Sequence, residues 1–278
     1  MAILHAMTRK YTSLAVLIRL SFVLLGIAID TLSSSSNSSF PPYTDIDYSV
    51  YTRASFEIRL QPTLGGSPYA VPTYRYSPLL AILLLPNRYF LSFGKIIFSI
   101  ADASIASYLH TILLKFCACS LDYCERVSFL WAVNPVTIII ATRGSSDAIT
   151  NLLLLIVILK LFEKKYLFSG LLFGLLVHLR LFPVIYTPAI LLFILRSKPK
   201  SAAKPPRKIV HSSFLHSIQH EYDWIPAISF AISSLLFFAL LSVLSWAAYG
   251  PAYLENALLY HVTRCRSTLN FILIITLK

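Results

Sequence analysis

Ile225-Pro-Ala-Ile-Ser-Phe-Ala-Ile-Ser-Ser-Leu-Leu-Phe-Phe-Ala-Leu-Leu-Ser-Val-Leu-Ser-Trp-Ala-Ala248 is a run of apolar and small residues without one charged side chain. A helix rises about 1.5 Å per residue, so such a run reaches across the roughly 30 Å hydrocarbon layer of a bilayer. Other apolar blocks lie at about 12–29, 90–114, 127–142, 147–162, 166–180 and 181–195, with an apolar start at 269–278. With 56% apolar and 13% charged residues, the chain has too few polar side chains to wet a globule of 278 residues. Open sheet edges cannot be satisfied in lipid, so the spans are helices. The fold class read here is an all-α polytopic membrane protein with one transmembrane domain over 1–278.

Several blocks are too short to cross alone. Those at 127–142 and 166–195 contain Pro135, Pro183 and Pro188, which predicts broken or re-entrant helices packed inside protein. The net charge of +12 would raise the question of nucleic acid in a soluble chain. Here the basic residues sit at the ends of apolar blocks, where they fix topology and meet anionic headgroups, so membrane lipids are the expected partner and nucleic acid is not.

Cys117, Cys119, Cys124 and Cys265 have neither the spacing nor the His partners of a zinc site, and read as reduced structural thiols. Met1 to Lys10 is short and basic, and the following apolar run has no small-residue cleavage pattern, so it reads as an uncleaved first span.

Basic loops set the orientation. Arg9 and Lys10 precede the first span, Lys164 and Lys165 follow the fourth, and Arg196, Lys198, Lys200, Lys204, Arg207 and Lys208 occupy the loop 196–224. The positive-inside rule puts all three in the cytoplasm, N-terminus included. The 31–89 loop, Arg143-Gly-Ser-Ser-Asp147, the turn His178-Leu-Arg180 and the segment Tyr249–Asn270 then share the opposite, lumenal face. Ionisable residues gathered at helix ends on one face mark a site, because each is costly beside hydrocarbon. The Ser-rich stretch 31–39 holds a sequon at Asn37, a glycan acceptor when lumenal. Lys198 to Pro206 reads as a Pro- and Lys-rich cytoplasmic linker.

Within the first lumenal loop, Tyr43-Thr-Asp-Ile-Asp-Tyr48 carries two carboxylates at i and i+2. Such a pair binds a divalent cation or a metal-bound phosphate, or supplies a general base toward a sugar hydroxyl, or is simply solvated. Gly66-Ser-Pro-Tyr69 follows, then Thr73-Tyr-Arg-Tyr-Ser-Pro-Leu-Leu-Ala81 and Pro86-Asn87. Arg75 between Tyr74 and Tyr76 offers a bidentate clamp for phosphate flanked by rings, or an interfacial Arg in an aromatic belt.

The Asp-x-Asp string at 43–48, Ser-Pro-Tyr at 67–69 and the Tyr-Arg-Tyr-Ser-Pro segment at 73–81 together resemble the family of the catalytic subunit of GPI mannosyltransferase I. That enzyme adds the first mannose to the glycosylphosphatidylinositol precursor. Asn134-Pro135, Thr142-Arg-Gly144, Gly174, His178-Leu-Arg180, Pro183, Tyr249-Gly250, Leu254-Glu255, Leu259-Tyr-His261 and Arg264 agree in order, from about residue 43 to 271.

The resemblance implies a GT-C-like glycosyltransferase of the endoplasmic reticulum membrane with its active site on the lumenal side. Its donor would be dolichyl phosphate mannose and its acceptor a glucosaminyl-phosphatidylinositol, joined in an α-1,4 linkage. A β-linked donor and an α-linked product imply inversion in a single displacement, which needs a carboxylate base and positive charge on the leaving phosphate. It implies catalytic roles for Asp45 and Asp47, with a divalent cation, if any, on that pair. Tyr74, Arg75, Tyr76, Arg143, His178, Arg180, His261 and Arg264 become candidates for binding donor phosphate or acceptor, and Glu255 for pairing with one of the arginines. A small accessory membrane subunit is also implied.

The chain departs from the family's pattern where Arg266 replaces an acid, Leu269 replaces a His and Val71 replaces a basic residue. The family continues with further spans beyond the position of Lys278, so the chain reads as C-terminally truncated or divergent. His211, His216 and His220 fall in a cytoplasmic loop, which argues against a zinc site. Three other readings stay open. One is a dolichyl-phosphate-sugar transferase with a different acceptor; another is an inactive truncated form or non-catalytic scaffold. A transporter is the third, and it would want polar groups mid-span, where Asp102 is the only deep carboxylate.

Overall fold

The computed structural model describes residues 2–35, 41–58, 66–196 and 224–260, with side chains from Lys10 onward. Asn37, His211, His216, His220, His261, Arg264, Cys265, Arg266, Leu269 and the apolar start at 269–278 lie outside the described residues. Helices α1 (Ala2–Ser33), α2 (Ile46–Glu57), α3 (Pro78–Leu83), α4 (Phe93–Phe116), α5 (Leu121–Val133), α6 (Pro135–Thr142) and α7 (Asp147–Phe162) follow one another. They are followed by α8 (Tyr166–Leu179), α9 (Thr187–Arg196) and α10 (Trp224–Tyr249), the last running on through a short turn into a π-helical stretch, Leu254–Leu259. No strand occurs among the described residues.

Among the described residues, three helical stretches are long and apolar enough to cross a bilayer: Lys10–Ser33, Phe93–Phe116 and Trp224–Tyr249. A fourth arises if α5 and α6, bent 47° at their junction, are one broken span. The remaining apolar blocks form shorter helices, α7 to α9, below the roughly 20 residues a lone span needs. The protein is thus an all-α polytopic membrane protein.

Contacts divide the chain into two compact units, 1–156 with 242–278 and 157–241. In the first, α1 packs on α4, α5 and α6, and α4 packs on α5 and α6. Ala15, Ala103 and Ala132 let α1, α4 and α5 approach closely. At their level lies an ion pair. Arg19 is fully buried and donates from Nε to Asp102 Oδ2 at 2.7 Å.

The junction of α5 and α6 explains what else Arg19 does. Proline has no N–H, and the residue before it is forced out of the helical region. Asn134 accordingly sits at φ −64°, ψ 113°, and its side chain caps α6 by accepting the Val136 N–H at 3.0 Å. The break strands carbonyls in the last turn of α5. Arg19 reaches two of them, Ala132 O from Nη1 at 3.0 Å and Trp131 O from Nη2 at 3.3 Å. A basic residue in the middle of the first apolar run is therefore spent on the helix end where proline interrupts the backbone ladder.

The stretch 31–89, expected as a loop, is largely folded. α1 extends to Ser33, and α2, α3 and two 3₁₀ turns, Pro68–Ala70 and Leu85–Arg88, follow. The core at this end joins Tyr48, Tyr51, Ala54, Tyr74, Leu80, Ala81, Leu84, Phe98, Ala141 and Ala148, so α2 and α3 cap the ends of α4, α6 and α7. Val71 belongs to that core at 6% exposure, a place no basic residue fits without a partner. Arg88 closes the other end of α2, donating to the Phe56 carbonyl at 2.7 Å.

In the second unit, α8 crosses the first part of α10 over Gly170 and Gly174. A Cβ on either would strike α10 backbone, Phe230 O and Ser234 O respectively, so only glycine allows this approach. Phe173 and Phe230 fill the space beside it.

Candidate active site

Asp45 occupies the N-cap position of α2 with an extended backbone, φ −68°, ψ 147°, and its carboxylate makes no cap bond. The segment leading into it is held from two sides. The Asp45 N–H donates to Arg143 O at 3.0 Å, and Arg143 Nε donates back to Tyr43 O at 3.0 Å. One residue earlier, Thr142 Oγ1 and the Tyr43 hydroxyl meet at 2.7 Å. One residue later, Gly144 adopts φ +101° and lies against the Tyr48 ring, which a Cβ would overlap. Tyr43-Thr-Asp-Ile-Asp-Tyr48 and Thr142-Arg-Gly144, a hundred residues apart in sequence, are two halves of one joint.

Asp30 and Lys95 complete it. Asp30 accepts the N–H of Tyr43 at 2.7 Å and of Thr44 at 3.0 Å, and its other oxygen receives the Thr44 hydroxyl and Lys95 Nζ. Tyr48 sends its hydroxyl to Leu91 O at 2.6 Å and stands over buried Asn87, whose amide donates to Thr52 Oγ1 at 2.8 Å and accepts the Gly94 N–H at 3.0 Å.

The three acids differ in what is left over. Asp30 is engaged by four donors. Asp47, exposed in the first turn of α2, accepts the Tyr76 hydroxyl at 3.0 Å. Asp45, half-exposed, has no side-chain hydrogen bond or ion pair among the described residues. Its carboxylate is the one available to an incoming group.

Behind Asp47 stands a tyrosine cluster. Tyr76 packs edge-on against Tyr51 at 4.8 Å and beside Tyr74 at 5.7 Å; Tyr69 joins Tyr74 to Tyr249 and Tyr253. Burial holds the phenols of Tyr48, Tyr69, Tyr74 and Tyr76 above their ordinary value, with neighbouring tyrosines adding to it for Tyr69, Tyr74 and Tyr76, and Asp47 for Tyr76. They are neutral donors at physiological pH. Arg75 lies over the Tyr260 ring, 4.5 Å from its centroid.

Of the residues singled out in the sequence, Asp45, Asp47, Tyr74, Arg75, Tyr76 and Arg143 lie in the first unit. Arg143, expected as a phosphate ligand, uses Nε on the Tyr43 carbonyl. His178 and Arg180 lie in the second unit. His178 is 5% exposed against the Phe238 ring, with a hydrogen bond to the Leu241 backbone, and Arg180 caps α8 by its N–H to Leu176 O. Glu255 is exposed on the π-helical stretch and forms no ion pair among the described residues. Asp102, the residue a transporter would want free, is paired with Arg19. No group of three or more His, Cys, Asp or Glu side chains among the described residues is placed to hold a metal. Cys117, Cys119 and Cys124 are free thiols.

A chain of apolar helices whose first span leads into a capped end bearing a free carboxylate is, by class, an all-α polytopic membrane protein. A family model described as Mannosyltransferase (PIG-M) matches residues 140–278. The chain belongs to this family. It is 37% identical over 233 residues to a Schizosaccharomyces pombe protein named GPI mannosyltransferase 1, covering 82% of this chain and 57% of that one. To its Gibberella zeae counterpart it is 32% identical over 264 residues, 95% of this chain and 59% of the relative. A Danio rerio protein named GPI alpha-1,4-mannosyltransferase I, catalytic subunit, is 34% identical over 223 residues, 80% and 52% of the two chains. The chain thus spans less than 60% of the length of these three relatives.

Proposed function

We propose that the chain is a glycosyltransferase of the endoplasmic reticulum membrane that moves the first mannose of the GPI anchor. Mannose would pass from dolichyl phosphate mannose to a hydroxyl of glucosaminyl-phosphatidylinositol in an α-1,4 linkage. The names of its relatives support the reaction, and the carboxylate of Asp45, half-exposed and unengaged among the described residues, is the observation that carries it.

In this reading Asp45 takes the proton from the acceptor hydroxyl as its oxygen bonds to the anomeric carbon. The bond from that carbon to the phosphate oxygen breaks on the opposite face, and dolichyl phosphate leaves. A positioned base contributes on the order of 10²- to 10⁴-fold. Asp47, oriented by Tyr76, flanks the base. Arg75 and Arg143, with His178, Arg180, His261 and Arg264, are the cationic and imidazole candidates for the leaving phosphate and the acceptor. A divalent cation, if used, would be held by Asp45 and Asp47 and would supply positive charge for the leaving phosphate; among the described residues no group of three His, Cys, Asp or Glu side chains is placed to hold one.

Orientation follows the basic ends. Lys10 opens the membrane-length part of α1 and Asp30 lies in its last turn before Ser33, so a cytoplasmic N-terminus would put Asp45 on the lumenal side. The Danio rerio relative is named a catalytic subunit, which supports an accessory membrane subunit here too.

Expression in cells lacking the first mannosylation step tests the reading. Wild-type chain, extended at its C-terminus with the relatives' remaining sequence where needed, should restore GPI-anchored proteins to the cell surface, and Asp45→Asn at matched abundance should not. Equal rescue by Asp45→Asn would remove the assigned base.

A further inference from the structure

Asp30 and Lys95 stand where helix electrostatics alone would not put them. A carboxylate in the last turn of α1 and an ammonium in the first turn of α4 each face the like-signed end of a helix dipole. Both are largely withdrawn from water, with side chains 25% and 4% exposed, and meet at 3.0 Å. Local helix stability does not account for them.

What they hold does. Three consecutive backbone N–H groups, of Tyr43, Thr44 and Asp45, lie ahead of α2 without helical partners. Asp30 takes the first two and the Arg143 carbonyl takes the third. Lys95 Nζ donates to Thr44 Oγ1 at 2.5 Å as well as to Asp30, and lies 5.7 Å from the Tyr48 ring centroid, so it touches the residue before Asp45 and a ring three residues after it. The backbone leading into Asp45 is therefore held at Tyr43 and Thr44 by a charge pair that joins the ends of two membrane-length helices, and at Asp45 itself by the Arg143 carbonyl.

We propose that Asp30 and Lys95 are a positioning pair for Asp45: they set the backbone of the Tyr43–Asp45 segment, and through it the placement of the base, without touching substrate. The proposal rests on the catalytic reading of Asp45 given above. A displacement of about 1 Å in a reacting group lowers turnover on the order of 10²-fold, so the pair acts on the rate rather than on donor affinity. Asp30→Asn retains an oxygen for the two N–H groups but leaves the Lys95 ammonium unpaired; Lys95→Met does the converse.

Hydrogen exchange and kinetics on the same membrane preparations decide it. In Asp30→Asn and Lys95→Met, peptides spanning Tyr43–Tyr48 should exchange at least about tenfold faster while the middle of α4 stays protected. Mannosyl turnover should fall about 10- to 100-fold with the apparent KM for the donor within about threefold. Lys95→Arg should recover most of both, and Asp30→Asn/Lys95→Met should be no worse than the poorer single variant. Thr44→Val, which removes only the shared hydroxyl, reports on the same clamp should the charge variants not accumulate. Unchanged exchange, or accelerated exchange with unchanged turnover, overturns the proposal and leaves the catalytic reading of Asp45 standing. If wild-type chain transfers no mannose while exchange responds as described, the clamp is present and it is the reaction assigned to Asp45 that fails.

Discussion

Arg19 and Asp102 join the first and second membrane-length helices by a buried pair, Nε to Oδ2 at 2.7 Å, and the same guanidinium closes the end of α5 that Pro135 leaves open. Every donor direction of the arginine is used, including Nη2 toward Thr137 Oγ1 at 3.2 Å. Removing one partner would leave the other charged in a low-dielectric interior, which costs about 3–5 kcal/mol. Arg19→Ala and Asp102→Ala should each lower the unfolding midpoint in detergent sharply, and Arg19→Met/Asp102→Leu should lose less than the two single changes together. Additive losses in that cycle would show that the charges do not depend on one another.

Gly144 carries a second prediction. Its φ of +101° and the Tyr48 ring against its α-carbon leave no room for a side chain. Gly144→Ala should destabilise the chain by about 2 kcal/mol or more, the sum of a left-handed backbone and overpacking, and should loosen the Asp45 segment seated on the same turn. Denaturation in detergent would read the first effect. A variant as stable as wild type would mean the turn has another conformation.

How far was this legible in the sequence? The all-α membrane class was, because a run such as 225–248 has no other solvent, and α7 begins at Asp147 where an acid precedes a long apolar block. The folded cap over 41–58 and 66–92 was not. The buried face of α2 is Tyr48, Tyr51, Thr52, Ala54 and Ser55, residues that pack well around hydroxyls but score weakly as an apolar stripe. Arg19 was hidden in an apolar run because its partner lies 83 positions away. Asp30, Lys95 and Asn87 share that difficulty, since a clamp built from three helix ends has no local spacing. At the candidate site, the paired motifs Tyr43–Tyr48 and Thr142–Gly144 could be named, but only the fold shows that they form one joint. Arg143, which the family resemblance marks as a candidate phosphate ligand, is seen in the fold as a strut, its Nε on the Tyr43 carbonyl.

The tyrosine cluster makes stability depend on pH at the alkaline end. Burial raises the phenols of Tyr69, Tyr74 and Tyr76 above the ordinary value of about 10. A group with a raised folded pKa contributes stability that is complete below its unfolded value and is lost as pH rises through the folded one. The unfolding midpoint should therefore be flat through neutrality, begin to fall near about pH 10, where the unfolded phenols ionise, and go on falling as pH rises further, and Tyr76→Phe should shallow the fall. A profile identical in Tyr76→Phe would take Tyr76 out of the cluster's titration.

Topology is open to a direct chemical probe. Ile46 lies between the two aspartates and is 79% exposed. In a cysteine-free background, Ile46→Cys in sealed microsomes should resist a membrane-impermeant maleimide until the vesicles are permeabilised, while Lys164→Cys should react at once. Immediate labelling of the first would put Asp45 in the cytosol.

The proposed reaction turns on one proton. Single-turnover transfer of mannose from dolichyl phosphate mannose to glucosaminyl-phosphatidylinositol, in membranes carrying equal amounts of chain, should be about 10²-fold or more slower for Asp45→Asn than for wild type, with donor binding unchanged. Transfer by Asp45→Asn within threefold of wild type would contradict it.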